Sequence, residues 1–372
     1  MKWIYSFFIL LFTALGVSAQ NIPSKGGIIH VMTKVNDHWQ KNNSPFGRAF
    51  WDNAVYHVGN MEAYRTTHRE DYLNYTLDWA SHNHWQGATS TNKQEWQYNY
   101  GEDMNHVLFG DWQICFQVYA ELYKIKPDSI RIARAREVTK YEMSTTKNDY
   151  WWWADGLFMV MPVMTKMYGI TKDSLYLQKM YEYYKYAESI MYDDSTHLFY
   201  RDAKYVYPKH KSANGLKDFW ARGDGWVFAA LARVINELPK NDIHRAFYIK
   251  RYKQMAKAII ACQQKDGFWT RSMLDANHAP GYETSGTSLF TFGLAWGLNH
   301  GLLDRATYLS PTLKAWNYLT KIAVQQDGTL GYVQPIGERA IPGQMVDKNS
   351  TANFGVGAFL LAASEMTHLV KK

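Results

Sequence analysis

Residues 111–129 read DWQICFQVYAELYKIKPDS, and residues 155–174 read DGLFMVMPVMTKMYGITKDS. Leu122-Tyr123, Ile125 and Asp128-Ser129 of the first stretch return as Met167-Tyr168, Ile170 and Asp173-Ser174 of the second, each displaced by 45 residues. Each copy closes an apolar helix, turns sharply and opens another, which marks a repeated helical hairpin. The same rhythm recurs, more degenerately, at Ala63–Tyr72 and Leu302–Tyr308. Outward from there, helical periodicity marks about twelve helices, near residues 24–40, 47–66, 69–84, 106–125, 128–143, 151–168, 171–190, 219–237, 243–264, 284–301, 304–323 and 351–369. Their joints are short and carry turn residues, as in Lys126-Pro127-Asp128 and Leu238-Pro239-Lys240. The exception is residues 197–210, opening HLFYRDAKYVYP, which reads as a short extended hairpin or long loop.

Twelve helices in six hairpins predict an all-α fold, a closed (α/α)6 barrel with inner and outer helices alternating. An open solenoid would make the same hairpins without closing around a pocket. No Pro/Ser-rich linker divides the chain, so residues 20–372 are expected to form a single domain. Ahead of it, Lys2, the apolar stretch Trp3 to Val17 and the small residues Val17-Ser18-Ala19 read as a signal peptide over residues 1–19. Export to the periplasm or beyond the cell is the expectation. The apolar stretch is short for a membrane span, and no later run approaches about 18 uninterrupted apolar residues. The formal charge of +7 is spread without long runs, which argues against a nucleic-acid partner and leaves a mild pull on acidic substrates. Cys115 and Cys262 read as two small buried hydrophobes, although an exported chain would permit them to pair.

The repeat also places chemistry. Asp111 and Asp155 fall near the starts of equivalent helices one hairpin apart, and in a closed barrel the starts of successive inner helices share a rim. Two acids facing each other across a mouth suit carbohydrate hydrolysis. Asp224, in WARGDGWVFAALARV, begins another inner-helix pattern. Each aspartate alone reads first as a helix cap. Their indole company points further: Trp112 beside Asp111, Trp151-Trp152-Trp153 ahead of Asp155, and Trp220, Arg222 and Trp226 around Asp224. On a helix three consecutive indoles stand about 100° apart and cannot share one buried face. Exposed indoles around acids fit stacking against sugar rings. His82 and His84 lie two apart, the wrong spacing for one helix face, and no nucleotide-binding loop or nucleophile elbow is present, so neither metal nor cofactor is expected. Glu283-Thr284-Ser285-Gly286-Thr287 reads first as a capping loop.

The runs WWWADGLFMVMP, FWARGDGWVFAALARVINELP and DGFWTRSMLDANHAPGYETSGTSLFTFGLAWGLNHGLLD resemble unsaturated glycuronyl hydrolases of glycoside hydrolase families 88 and 105. The closer likeness is to the family 105, unsaturated rhamnogalacturonyl type. It extends from FWDNAVYHVGNMEAY at residue 50 to GVGAFLLAASE near the end. The resemblance implies an (α/α)6 barrel with Asp155 as catalytic acid/base and Asp111 as the second site aspartate. It also implies substrate contacts from Trp153, Trp220, Arg222 and Trp226. Arg201, in FYRD, stands where some family 105 enzymes carry His. Such enzymes hydrate the 4,5-unsaturated uronic acid that a polysaccharide lyase leaves at a non-reducing end. Indole walls and an ionised Asp111 would then raise the pKa of Asp155, while Arg222 and Arg201 would fork the substrate carboxylate. Arg201, Lys204, Lys209, His210 and Lys211 concentrate positive charge, which favours a sulfated, ulvan-type oligosaccharide slightly over a pectic one. The alternatives are a non-catalytic carbohydrate-binding barrel and an inverting glycosidase acting on saturated chains.

Overall fold

A computed structural model describes residues 22–370 of the chain; the segment read as a signal peptide lies outside them. Thirteen α-helices occur in order among the described residues: α1 Lys25–Asn42, α2 Trp51–Thr67, α3 Glu70–His82, α4 Gly110–Gln113, α5 Cys115–Ile125, α6 Ile130–Ser144, α7 Ala154–Thr171, α8 Leu175–Met191, α9 Ala221–Glu237, α10 Arg245–Ala261, α11 Thr284–Asn299, α12 Arg305–Tyr318 and α13 Asn353–Leu369. The single turn α4 runs into α5 at Ile114, so the twelve helices read from periodicity are the twelve observed.

Helix composition sorts the layers. Helices α7, α9, α11 and α13 are buried along nearly their whole length, whereas α1, α6 and α10 bury only a stripe. A helix apolar all round belongs inside, and one with an apolar stripe covers it. Contacts run α2–α5–α7–α9–α11–α13 and back to α2, with α3, α6, α8, α10 and α12 packed outside their predecessors and α1 against α13. The ring closes, and the open solenoid is excluded. Its seam needs glycine: a Cβ on Gly59 would sit 2.2 Å from the Gly357 carbonyl oxygen, and one on Gly357 would sit 2.3 Å from that of Val55. Backbone therefore meets backbone where the last inner helix joins the first.

The expected extended segment begins earlier than its sequence suggests. Strand β1, Tyr192–Asp193, pairs antiparallel with β2, Leu198–Phe199, in the register Tyr192↔Phe199 and Asp193↔Leu198. The Asp193 carboxylate accepts from the backbone N–H groups of Ser195 and Thr196, which makes the turn. Cys115 is buried and Cys262 half-buried; both thiols are free.

Parallel inner helices give the barrel two unlike mouths. At the helix ends a cavity of about 390 Å³ is lined by Glu62, Arg65, Glu121, Lys166, Arg233 and Glu237, among others. Lys166 bridges Glu121 and Glu237, and Arg65 pairs with both Glu62 and Glu121. The helix starts form the other mouth.

Candidate active site

Four inner helices open alike. Phe50-Trp51-Asp52, Phe109-Gly110-Asp111, Trp153-Ala154-Asp155 and Trp220-Ala221-Arg222 each put an aromatic residue at the N-cap and a charged one at the second helical position. An aromatic N-cap accepts no hydrogen bond from the helix, so these rings serve packing rather than capping. Phe109 stacks on Trp153 with centroids 4.8 Å apart and planes at 26°, which joins the starts of α4 and α7. Asp111 and Asp155 are thereby brought to one cavity of about 450 Å³, walled by Phe50, Trp51, Tyr100, Trp152 and Trp153.

The three consecutive indoles do not lie on a helix. α7 starts at Ala154, and Trp153 is extended, at φ −140° and ψ 154°. Alternation along an extended chain turns Trp151 and Trp153 inward together. Trp151 packs against Tyr183 in the core, and Trp153 is almost wholly buried while its face lines the cavity. Trp152 is half-exposed, and its N–H donates to the Tyr98 carbonyl at 2.9 Å. The exposed triple of indoles expected from helical spacing is thus corrected to one partly open indole beside two buried ones.

Arg201 reaches the cavity because the hairpin is stitched to α7. The Ala154 N–H donates to the Arg201 carbonyl at 2.8 Å, and the Phe199 N–H to the Asp224 carboxyl at 2.8 Å. Asp224 is therefore an anchor for the hairpin. The Arg201 guanidinium lies 3.5 Å from Asp155 Oδ2, donates to Asp202 at 2.7 Å and sits 5.8 Å from the Trp152 ring centre.

Trp220, Arg222 and Trp226 stand behind the cavity rather than on its lining. The Trp220 N–H donates to the Gln334 side chain at 2.8 Å, while Arg222 donates to the carbonyls of Gln334 at 2.6 Å and Pro335 at 2.8 Å. Together they hold the loop that carries Ile336, Gly337 and Glu338 into the site. Both Arg222 Nη groups are spent on backbone, whereas Arg201 lies on the cavity lining. Trp226 is core, edge-on to Trp51 at 6.5 Å and 4.8 Å from Phe158. Glu283 is a cap, its carboxylate accepting from the N–H groups of Ser285 and Gly286.

Burial pushes Asp111 well above the ordinary carboxylate range, the charge of Asp155 pushes it further, and Arg201 opposes both. Burial also raises Asp155, but Arg201 and then Arg222 pull against it. One oxygen of each acid, Asp111 Oδ1 and Asp155 Oδ2, is buried without a hydrogen-bond partner. Both acids are thus raised by burial, and Arg201, placed beside Asp155 by the hairpin, opposes the shift at each.

Sequence reasoning did not find Asp52, Arg48, Tyr100, Glu102 or Glu338. Asp52 belongs to the aromatic–x–charge repeat and was findable from it; its carboxylate accepts from Asn353 at 3.0 Å. Arg48 lies in the loop 43–50, Tyr100 and Glu102 in 83–109 and Glu338 in 324–352, where no periodicity points to a cavity. Of the five cations read as a cluster, Arg201 and Lys204 reach the cavity. His210 is instead paired with Asp218 at 2.8 Å.

An (α/α)6 barrel with two buried, under-partnered carboxylates in an aromatic hollow suits a glycosidase. Residues 27–370 match the model for Glycosyl Hydrolase Family 88, and the chain belongs to that family. It is 32% identical over 351 residues to an unsaturated 3S-rhamnoglycuronyl hydrolase of Formosa agariphila, covering 89% of this chain and 88% of that one. A solved structure described as a glycosyl hydrolase family 88 protein from Bacteroides vulgatus superposes with a TM-score of 0.92 at 57% identity, covering 93% of this chain and all of that one. Another, named as a polysaccharide lyase, superposes with a TM-score of 0.91 at 61% identity, covering 94% and 98%.

Proposed function

We propose that this protein removes the 4,5-unsaturated uronic acid from the non-reducing end of rhamnose-linked oligosaccharides released by polysaccharide lyases. The observation that carries the reading is the convergence of Asp111, Asp155 and Arg201 on one indole-walled cavity. Arg201 is placed to receive the uronate carboxylate. That anion draws Arg201 away from Asp155 and sets a like charge beside it, which moves the proton preference towards Asp155. Asp155 then protonates C4 of the enol ether, and positive character gathers at C5 and the ring oxygen. Water adds to C5 and returns its proton to Asp155, so the acid is regenerated. The hemiketal at C5 opens the ring, and the hemiacetal left at C1 expels the rest of the chain.

The finer substrate is an unsaturated uronyl–rhamnose whose rhamnose carries sulfate, the ulvan-type reading. The name of the Formosa relative supports it. Export, from the signal-like residues 1–19, belongs to the same proposal. The test is the ultraviolet absorbance of the conjugated ring. Wild type should erase it on an unsaturated disaccharide, Asp155→Asn should not, and the saturated analogue should be inert. Retained turnover by the variant would remove Asp155 from the mechanism.

The lyase name of the 61% identical structure favours one second reading, β-elimination at the same carbon pair. It predicts the opposite signal, a rise of absorbance on a saturated polymer.

A further inference from the structure

Glu338 lies on the cavity wall beside the two cations that sequence had reserved for substrate. Its Oε2 is 3.2 Å from Lys204 Nζ and 3.4 Å from Arg201 Nη1, while its Oε1 accepts from the Tyr205 hydroxyl at 2.5 Å. The Lys204 and Glu338 side chains are 63% and 44% exposed, so this pair stands at the cavity's outer edge. Arg201 and Asp155 are far more buried and lie deeper. Burial alone would raise the pKa of Glu338, yet the Tyr205 hydroxyl, Lys204 and Arg201 bring it below the ordinary glutamate value, so it is ionised at neutral pH. The other rim cation is matched likewise: Arg48 Nη1 meets Glu102 Oε2 at 2.6 Å.

A terminal uronate seated on Arg201 places the next sugar outward, at the level of Lys204 and Glu338. An anionic substituent there gains from Lys204 only if Glu338 gives the cation up, and otherwise faces a fixed carboxylate. A neutral sugar faces no such exchange. We infer that Glu338 sets the charge selectivity of the sugar that follows the unsaturated uronic acid, by holding Lys204 in an internal ion pair that a sulfate must displace. The inference rests on the proposed hydrolase reading and holds whether the natural substrate is sulfated or not, since it concerns the ratio between the two.

The test compares kcat/KM on two unsaturated uronyl–rhamnose disaccharides, with and without sulfate on rhamnose. Glu338→Gln removes the nearer partner of Lys204, leaving Asp202 Oδ2 at 3.8 Å, and should raise the sulfated-to-unsulfated ratio by about five- to tenfold, mainly through KM. Lys204→Gln, at a well-exposed position that does not threaten folding, should move the ratio the other way, and the effect should shrink in high salt. A ratio unmoved by either variant, with wild type turning over both disaccharides, overturns the inference alone. Wild type that leaves both unsaturated rings intact overturns the hydrolase reading, and the inference with it.

Discussion

At the mouth formed by the helix starts, Asp111 and Asp155 are buried acids with free oxygens and raised pKa values. At the opposite mouth Glu62 and Glu237 are half-buried, and both fall below the ordinary glutamate value. Burial pushes them up, but Arg65 and Arg233 outweigh it at Glu62, and Lys166 and Arg233 at Glu237. Two cavities of similar volume thus hold carboxylates shifted in opposite directions. A charge fully matched by fixed neighbours is a strut; one left short of partners is available for chemistry. Cavity size and charge count do not separate the mouths, whereas partner count does.

The widest separation comes from one substitution at each mouth. Asp155→Asn should lower kcat by about a thousandfold with an unchanged circular dichroism spectrum, the scale of a lost general acid/base. Lys166→Met should do the reverse. It removes the buried cation that bridges Glu121 and Glu237 and should cost about 3–5 kcal/mol in denaturant unfolding, while turnover per folded molecule is kept. A catalytic defect in Lys166→Met without loss of stability would erase the distinction.

A subtler contrast lies in pH. A carboxyl raised in the folded state contributes stability below its unfolded pKa and loses it as pH rises through the folded value. Asp111→Asn should therefore raise Tm at neutral pH, with the gain fading as pH falls into the ordinary carboxylate range. Equal melting curves at every pH would mean that Asp111 carries no such burden. Glu237 is the opposite case: its depressed pKa contributes stability above the unfolded value that is lost in acid, so Glu237→Gln should lower Tm at neutral pH.

The smallest effect is expected at Asp224. It is wholly buried, burial raises it well above the usual range, and Oδ2 has no partner. A neutral carboxyl accepting one N–H is mimicked by an amide, so Asp224→Asn should change stability and KM little. Asp224→Ala should lose about 1–2 kcal/mol and raise KM, because the hairpin that carries Arg201 is released. Equal damage from both would show that the charge matters.

The helices and their ring order were legible because an inner helix and its cover differ in apolar pattern over four or five turns. Asp111 and Asp155 followed from the repeat, whose 45-residue offset makes their helices equivalent and puts both acids near the helix starts. Trp151 to Trp153 misled because the helix begins three residues after Trp151, and period two replaced period 3.6. Arg222 and Trp220 proved to be supports, since nothing in WARGDGW states that Gln334 and Pro335 return to meet them. Glu338 and Glu102 were illegible for the same reason. Loop residues join a site through tertiary closure, which leaves no periodic trace in the chain.

The contact between Asn353 and Asp52 spans some 300 residues and joins the start of α13 to the start of α2. A ribosome that has released everything up to residue 350 has built five-sixths of a cylinder with no enclosed space in it. Catalytic competence must then arrive late and all at once, when α13 docks against α2 and α11. Deleting α13 should abolish activity although none of its residues lines the cavity. A circularly permuted chain whose new ends fall in an outer-layer turn, by contrast, keeps every inner staple and should regain it.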